Sequence, residues 1–308
     1  MSRVHDALRR AEQSGTPAAE NQAVAPTQLG GAARPAAPAA ANGLFSPDDV
    51  QEVQFAPAPE ALLIDASRPQ DSPSEEFRSL RTRLNHLQSL QPIHTVVVTS
   101  PSPAEGKSFS AANLALAESQ MVGNFTLLAD FDFRRPALHN LFQIDRSPGA
   151  TDYLLGQAPL AACMKKVAGT SLYLMPAGSA VKNPLELLNL REAKTLLQEL
   201  PKTFNWIILD SPPLLFSADA NLLGTLTDGT ILVIRIGATT IDTVHRAMQS
   251  LCENNVLGVV VNGARAGELY SKYTYYYSKY GYGYGEKEGE PEEPSTPDGE
   301  KEPGSAVQ

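Results

Sequence analysis

The chain has 308 residues, with 34 acidic against 25 basic side chains and a formal net charge of −9. Eight of the acids but only two lysines fall between Gly285 and Gln308, so the remainder is nearly neutral, and no nucleic-acid partner is expected. No apolar run approaches the roughly 18–20 residues that span a bilayer, no secretory leader is legible, and Cys163 and Cys252 lack a CxxC spacing, which predicts a cytosolic chain without a cysteine-based zinc site.

Residues 1–15 place Val4, Ala7, Leu8 and Ala11 at i, i+3, i+4 and i+7, with Ser2 able to cap and Gly15 to stop, and so predict a short amphipathic helix. Alone in water so short a helix is marginal, and it reads equally as a frayed end or a docking element. Residues 16–60, rich in Ala and Pro, read as a flexible linker. A folded domain is expected over 61–269. It opens on "SPSEEFRSLRTRLNHLQSL", with Ser72 as cap, Pro73 at the first helical position and Glu75 three residues after the cap. Phe77, Leu80, Leu84 and Leu87 line one face of this helix, and Arg78, Arg81 and Arg83 lie off it.

Apolar runs then alternate with helical patterns. Strands are predicted at Thr95–Thr99, Phe125–Ala129, Leu172–Met175, Trp206–Leu209, Thr230–Ile236 and Leu257–Val261, and helices around Ser108–Ser119, Pro184–Leu200 and Thr240–Glu253. Continuous apolar strands separated by helices predict an α/β fold whose mostly parallel sheet is covered by helices on both faces. Ligands in such folds bind beyond the carboxyl ends of the strands, and the polar motifs are sought there.

Three stretches qualify. "SPSPAEGKSF" follows the first strand and opens a helix: backbone N–H groups and the helix dipole suit a phosphate, Lys107 adds a point charge, and the Ser108 hydroxyl suits Mg²⁺. Pro101 stands where the general P-loop pattern has its first glycine, and a helix start with a solvated lysine would carry the same letters. "LLADFDFRRP" puts Asp130 and Asp132 at a strand end, suited to a metal's water shell or to a proton, and also to a plain turn. "WIILDSPPLL" ends a buried strand on Asp210. The three together predict a nucleotide site in which Pro103, Ala104, Glu105, Gly106, Lys107, Ser108 and Phe109 form the cradle. Past the last strand lie Asn262 and then eight of the ten tyrosines: Tyr270, Tyr273, Tyr275, Tyr276, Tyr277, Tyr280, Tyr282 and Tyr284. Broken by Gly281, Gly283 and Gly285, residues 270–284 keep neither a strand nor a helix period, and 285–308 read as a disordered acidic tail.

"SPAEGKS", "LLADFDFRRP" and "IILDSPP" resemble the Walker A, A′ and B motifs of the bacterial tyrosine autokinases (BY-kinases) of capsule and exopolysaccharide synthesis, whose chains also end in a tyrosine cluster. "EEFRSLRTRL", "NPLELLNL", "LGVVVNG" and the opening "SRVHDALRRAEQ" extend the likeness, which covers roughly residues 72–284. Ala104 stands where that family often has Gly, and Ala129 and Phe131 replace commoner neighbours of the aspartates. The resemblance implies a P-loop NTPase-like kinase of the stand-alone type that uses ATP and Mg²⁺ and phosphorylates the eight tail tyrosines. It implies that Lys107 contacts phosphates, that Ser108, Asp130 and Asp210 organise the metal, and that Asp132 meets the acceptor hydroxyl; which aspartate takes the proton stays open. Asn262 is assigned to adenine, or else to the turn before Gly263.

The resemblance further implies a ring-like homo-oligomer held partly by Glu75, Arg78 and Arg81, although Glu75 and Arg78 also suit an i, i+3 pair within one helix. A separate transmembrane chain-length regulator is expected as activator, with a cognate tyrosine phosphatase, at the inner face of the cell membrane. Two rivals remain. A partition or division-site ATPase shares the sheet and motifs, but its signature lysine would fall at Ser102; a nucleotide-binding scaffold with an adhesive tyrosine tail needs no catalysis.

Overall fold

The computed structural model describes residues 45–57, 61–64, 73–251 and 256–264. In chain order the strands are β1 (Gln51–Val53), β2 (Thr95–Thr99), β3 (Thr126–Asp130), β4 (Lys165–Val167), β5 (Leu172–Met175), β6 (Trp206–Asp210), β7 (Gly229–Arg235) and β8 (Val256–Asn262). The α-helices are α1 (Ser74–Leu90), α2 (Lys107–Ser119), α3 (Leu138–Phe142), α4 (Ala150–Leu154), α5 (Pro184–Asn189), α6 (Arg191–Glu199), α7 (Ala218–Leu226) and α8 (Ile241–Ser250). They surround one eight-stranded sheet of order β1-β4-β5-β3-β6-β2-β7-β8, parallel except where β4 meets β5.

Period-2 alternation divides the core. Val97, Leu127, Ile207 and Leu209 face one layer with Leu187, Leu188, Leu196 and Leu197, while Val96, Val98, Leu128 and Ile208 face the other with Phe77, Leu84 and Leu114. Both faces are covered, so β2, β3 and β6 are buried at every position, which is why they read as unbroken apolar runs. In α2 the alanines Ala111, Ala112, Ala115 and Ala117 are essentially buried and let the helix lie close on β2, β3 and β6.

The expected helix over Pro184–Leu200 divides at Leu190, whose backbone is extended (φ −61°, ψ 151°). At 100° per residue, one straight helix would spread Leu187, Leu188, Ala193, Leu196 and Leu197 around its whole circumference. The break lets all five reach the core. The first domain helix begins at Ser74 with Pro73 in the cap position rather than as its first residue, and the expected cap Ser72 lies outside the described residues. The linker boundary at residue 60 also needs correction. Phe45 stacks on Phe204, Val50 is buried, and β1 pairs with β4, so the fold takes in 45–57. Two three-residue strands are too short to show a period; β4 is held by β5 and in turn supplies the ladder for β1.

A buried polar network docks α1 on α2. Arg81 Nη1 donates to Ala117 O (2.9 Å), Asn85 Nδ2 donates to both Glu118 carboxylate oxygens (3.1 and 2.9 Å), and Trp206 Nε1 donates to Asn85 Oδ1 (3.3 Å). Burial pushes the Glu118 carboxyl up to about 7, against the opposing pull of Asn85 and Arg81. A carboxyl raised in the folded state stabilises the protein at low pH, and that contribution is lost as pH rises through about 7. Glu118→Gln should therefore flatten the decline in stability between pH 5 and 8 by on the order of 3 kcal/mol in chemical denaturation. Asp130, also raised, titrates in both proteins, so their difference isolates Glu118. Parallel pH profiles for the two proteins would rule out a raised Glu118 carboxyl.

Among the described residues no helix is long and apolar enough to cross a membrane.

Candidate active site

The three motif-bearing strands lie side by side, β3-β6-β2, so their carboxyl ends open on one spot. Asp130 and Asp210 are register partners across β3 and β6, and Asp210 stands opposite Val98 of β2. Residues 100–106 lead from β2 into α2, a 13-residue helix whose start has no side-chain cap. Its first N–H groups, with the positive end of the helix dipole, are therefore free to meet an anion. Gly106, the residue before the helix, is left-handed (φ 98°), and a Cβ there would sit 1.9 Å from Asn262 Nδ2. Ala104 is also left-handed (φ 62°), a conformation that costs a non-glycine residue about 1–2 kcal/mol.

Three contacts from β7, β8 and the turns beyond, with one inside the loop, hold it. Arg235 Nη1 donates to Ala104 O (3.1 Å), Asn262 Nδ2 to Glu105 O (2.9 Å), and the Thr239 hydroxyl to Glu105 Oε1, while Glu105 Oε2 accepts from Ser102 N (2.7 Å). Asn262 thus reaches the cradle and spends its amide on the loop backbone. The Phe109 ring packs edge-on against Phe77 at 5.9 Å, which leaves its backbone to the cradle.

Lys107 joins the three motifs. Its ammonium lies 2.8 Å from Asp132 Oδ2 and 3.5 Å from Asp210 Oδ1, and donates to Ser108 Oγ at 3.2 Å. Burial disfavours the charged amine, but Asp210, Asp132 and Asp130 together outweigh it and raise its pKa. The three aspartates are not equivalent. Asp130 is spent on its own loop: Oδ1 accepts from Asp132 N (3.1 Å) and Oδ2 from Ala137 N (2.9 Å) and Leu138 N (3.0 Å). Burial and then the neighbouring Asp210 charge push it up to about 7. Asp210 is wholly buried, and neither oxygen accepts a hydrogen bond of ordinary geometry, the Lys107 contact being a longer ion pair. Desolvation raises its pKa, with Lys107 and Ser108 pulling the other way. Asp132 keeps Oδ1 on Arg135 N (3.0 Å) and commits Oδ2 to Lys107.

Three carboxylates around one ammonium leave an excess of negative charge. A divalent cation fits this donor set, because Asp210 has lone pairs to give and Ser108 stands beside it. Among the described residues no group of three His, Cys, Asp or Glu forms a complete metal cage.

Lys107, Ser108, Asp130, Asp132 and Asp210, far apart in sequence, are brought together. Glu75, Arg78 and Arg81 lie on α1 instead, where Arg78 pairs with Glu75 at 3.5 Å and Arg81 is engaged by Ala117. Tyr270 through Tyr284 lie outside the described residues. Sequence reasoning missed Arg134, two residues after Asp132, whose guanidinium is clamped by Asp219. The signal was the Ser217 cap of α7, which places Asp219 in the first turn of that helix.

No family model matches the sequence. The chain is 33% identical over 219 residues to the tyrosine-protein kinase YwqD of Bacillus subtilis (strain 168), spanning 70% of this chain and 92% of the relative. Among solved structures it resembles the chimerical protein CapA2B2, with a TM-score of 0.63 and 28% identity over 70% of this chain and 93% of that one. The kinase domain of the Escherichia coli tyrosine kinase ETK gives a TM-score of 0.60 and 29% identity over 65% and 79%. With a P-loop NTPase-like sheet, a lysine-centred phosphate loop and relatives at this level over nearly their full length, the chain belongs to the family of bacterial tyrosine-protein kinases.

Proposed function

We propose that this kinase transfers the γ-phosphoryl group of ATP to its own tyrosines, Tyr270, Tyr273, Tyr275, Tyr276, Tyr277, Tyr280, Tyr282 and Tyr284, in trans within a ring-like homo-oligomer. The observation that carries the reading is the position of Lys107 between Asp132 and Asp210, beside an uncapped helix start. The N–H groups of Gly106 to Phe109 and the Lys107 ammonium bind the phosphates. Mg²⁺, held by Ser108 and Asp210 with Asp130 behind them, would neutralise phosphate charge.

Asp132 is the acid that faces the acceptor. Asp130 is tied down by three backbone N–H groups and Asp210 has no exposure, whereas Asp132 Oδ2 is held by Lys107 alone. Lysine moving to the phosphates frees that oxygen. The tyrosine oxygen then bonds to the γ-phosphorus, the bond from phosphorus to the ADP oxygen breaks, and the phenolic proton passes to Asp132 Oδ2.

From Asn262 to Tyr284 an extended chain reaches on the order of 70 Å, enough for a neighbouring subunit's site. Glu75, Arg78 and Arg81 are assigned to the subunit interface, and Asn262 to the base once released from Glu105. The kinase would act on exopolysaccharide or capsule polymerisation and export, at the inner face of the membrane, with a separate transmembrane regulator as activator and a phosphatase as its counterpart.

A mixing experiment tests the trans reaction. Full-length Lys107→Met protein, incubated with Mg-ATP and an active chain truncated before Tyr270, should acquire phosphotyrosine in the tail. Labelling absent from that mixture but present in the intact protein would mean transfer in cis, and ATP hydrolysis without any phosphotyrosine would favour a nucleotide switch.

A further inference from the structure

Arg134 follows the acceptor-side acid by two residues and is nearly half exposed, yet it is held more firmly than a surface arginine usually is. Its Nε donates to Asp219 Oδ2 at 2.7 Å and its Nη2 to Asp219 Oδ1 at 3.2 Å. Asp219 is 1% exposed and lies in the first turn of α7, whose cap Ser217 accepts from Asp219 N. A bidentate clamp of this kind fixes the plane of the guanidinium, and the entropy of placing it is already spent. Nε and Nη2 face the buried acid, which leaves Nη1 for something outside. The hydrogen bond to Asp219, against burial and helped by the Asp219 and Asp132 charges, raises the Arg134 pKa, so Asp132 lies within electrostatic reach. Arg135, also exposed, adds a second positive charge on the same turn.

We propose that Arg134, positioned by Asp219, is a specificity-determining contact for an anionic group flanking the acceptor tyrosine, so that the preferred substrate is an acidic tyrosine peptide. This rests on the assignment of Asp132 to the acceptor side. Nucleotide phosphates are already served by Lys107 and the start of α2, on the β2 side of the acids, whereas Arg134 leaves the site along the chain after β3. Residues 270–284 carry Lys272 and Lys279 and no acid, but the last of the tyrosines has a matching flank: Glu286 and Glu288 follow Tyr284 closely, at the head of the acidic run. A phosphotyrosine beside an acceptor offers the same chemistry.

The test uses separate peptides, so neither an oligomer nor the protein's tail is needed. Three probes suffice: residues 278–288 of this chain, the same peptide with Glu286 and Glu288 replaced by Gln, and the Gln peptide carrying phosphotyrosine at 282. The full-length kinase should favour the Glu-bearing and phosphorylated peptides by about tenfold in kcat/KM, mainly through KM and less at high salt. In Arg134→Gln the ratio should fall to about one. Asp219→Asn, which keeps the shape but loosens the clamp, should retain about threefold. The double variant, free of an unpaired buried carboxylate, should match Arg134→Gln, and its melting curve separates discrimination from folding. The proposal is overturned by a wild-type ratio of one, or by variants that keep the ratio while raising KM for Mg-ATP, which would place the guanidinium on the nucleotide. A collapse of the ratio in Arg134→Gln, together with a tail that acquires no phosphotyrosine either in the mixture or in the intact protein, would sink the autokinase reading and leave this one standing.

Discussion

Lys107→Met is expected to lower phosphorylation of a tyrosine peptide by on the order of a thousandfold at saturating Mg-ATP. Methionine keeps the length of the stem but removes the cation that touches two of the three acids, Asp132 at 2.8 Å and Asp210 at 3.5 Å. Two losses follow. The phosphates lose a point charge in a buried site where solvent screens little, and the carboxylates lose the group that holds them ionised. Burial already pushes Asp130 up to about 7 and raises Asp210, and both rise further without the ammonium. Such raised carboxyls leave stability intact at low pH and withdraw it as pH climbs through the raised value. The variant should therefore melt close to the parent near pH 5 and clearly below it at pH 8. Breaking a buried ion pair costs about 3–5 kcal/mol where the orphaned charge cannot be neutralised. Retention of a tenth of the parental activity would show that Lys107 is a structural counter-ion and would remove the main support for the site.

Asp132→Asn should cost at least about a hundredfold in kcat, the usual return on a positioned proton acceptor, with little change in KM for ATP. Its fold should survive. The Asn oxygen can still accept from Arg135 N, and the amide replaces a carboxylate whose other partner, Lys107, retains Asp210. Asp130→Asn predicts the opposite balance. One amide oxygen cannot accept all three backbone N–H groups now shared between the two carboxylate oxygens, so a buried donor goes unmet and stability falls by about 1–3 kcal/mol. Rapid-quench transfer to a tyrosine peptide, read beside melting curves, separates the two roles. An active Asp132→Asn enzyme would move the proton to another acceptor and take the geometric assignment with it.

Whereas α3, α4 and α7 were not predicted, six of the strands, the longer helices between them, the covered sheet and the three motifs were legible in the sequence. They depend on local rules: a strand buried on both faces must be apolar at every position, as in Thr95–Thr99 and Trp206–Asp210, and a phosphate loop must end where a helix begins. The family likeness rested on the same short motifs, because chemistry constrains those residues wherever the chain folds. Pairing was another matter. That β3, β6 and β2 are neighbours, so that Asp130 faces Asp210 and Lys107 reaches both Asp132 and Asp210, depends on which strand lies beside which across long stretches of chain. β1 and β4 were invisible for a related reason, since each is too short to declare itself and is held by strands distant in the chain or by its neighbour β5. The break at Leu190 came from the need to bury five apolar side chains that one straight helix would scatter. The unequal duties of the aspartates and the Asp219 clamp on Arg134 were decided by burial and by the count of nearby donors, quantities that arise only once distant segments exclude water from one another.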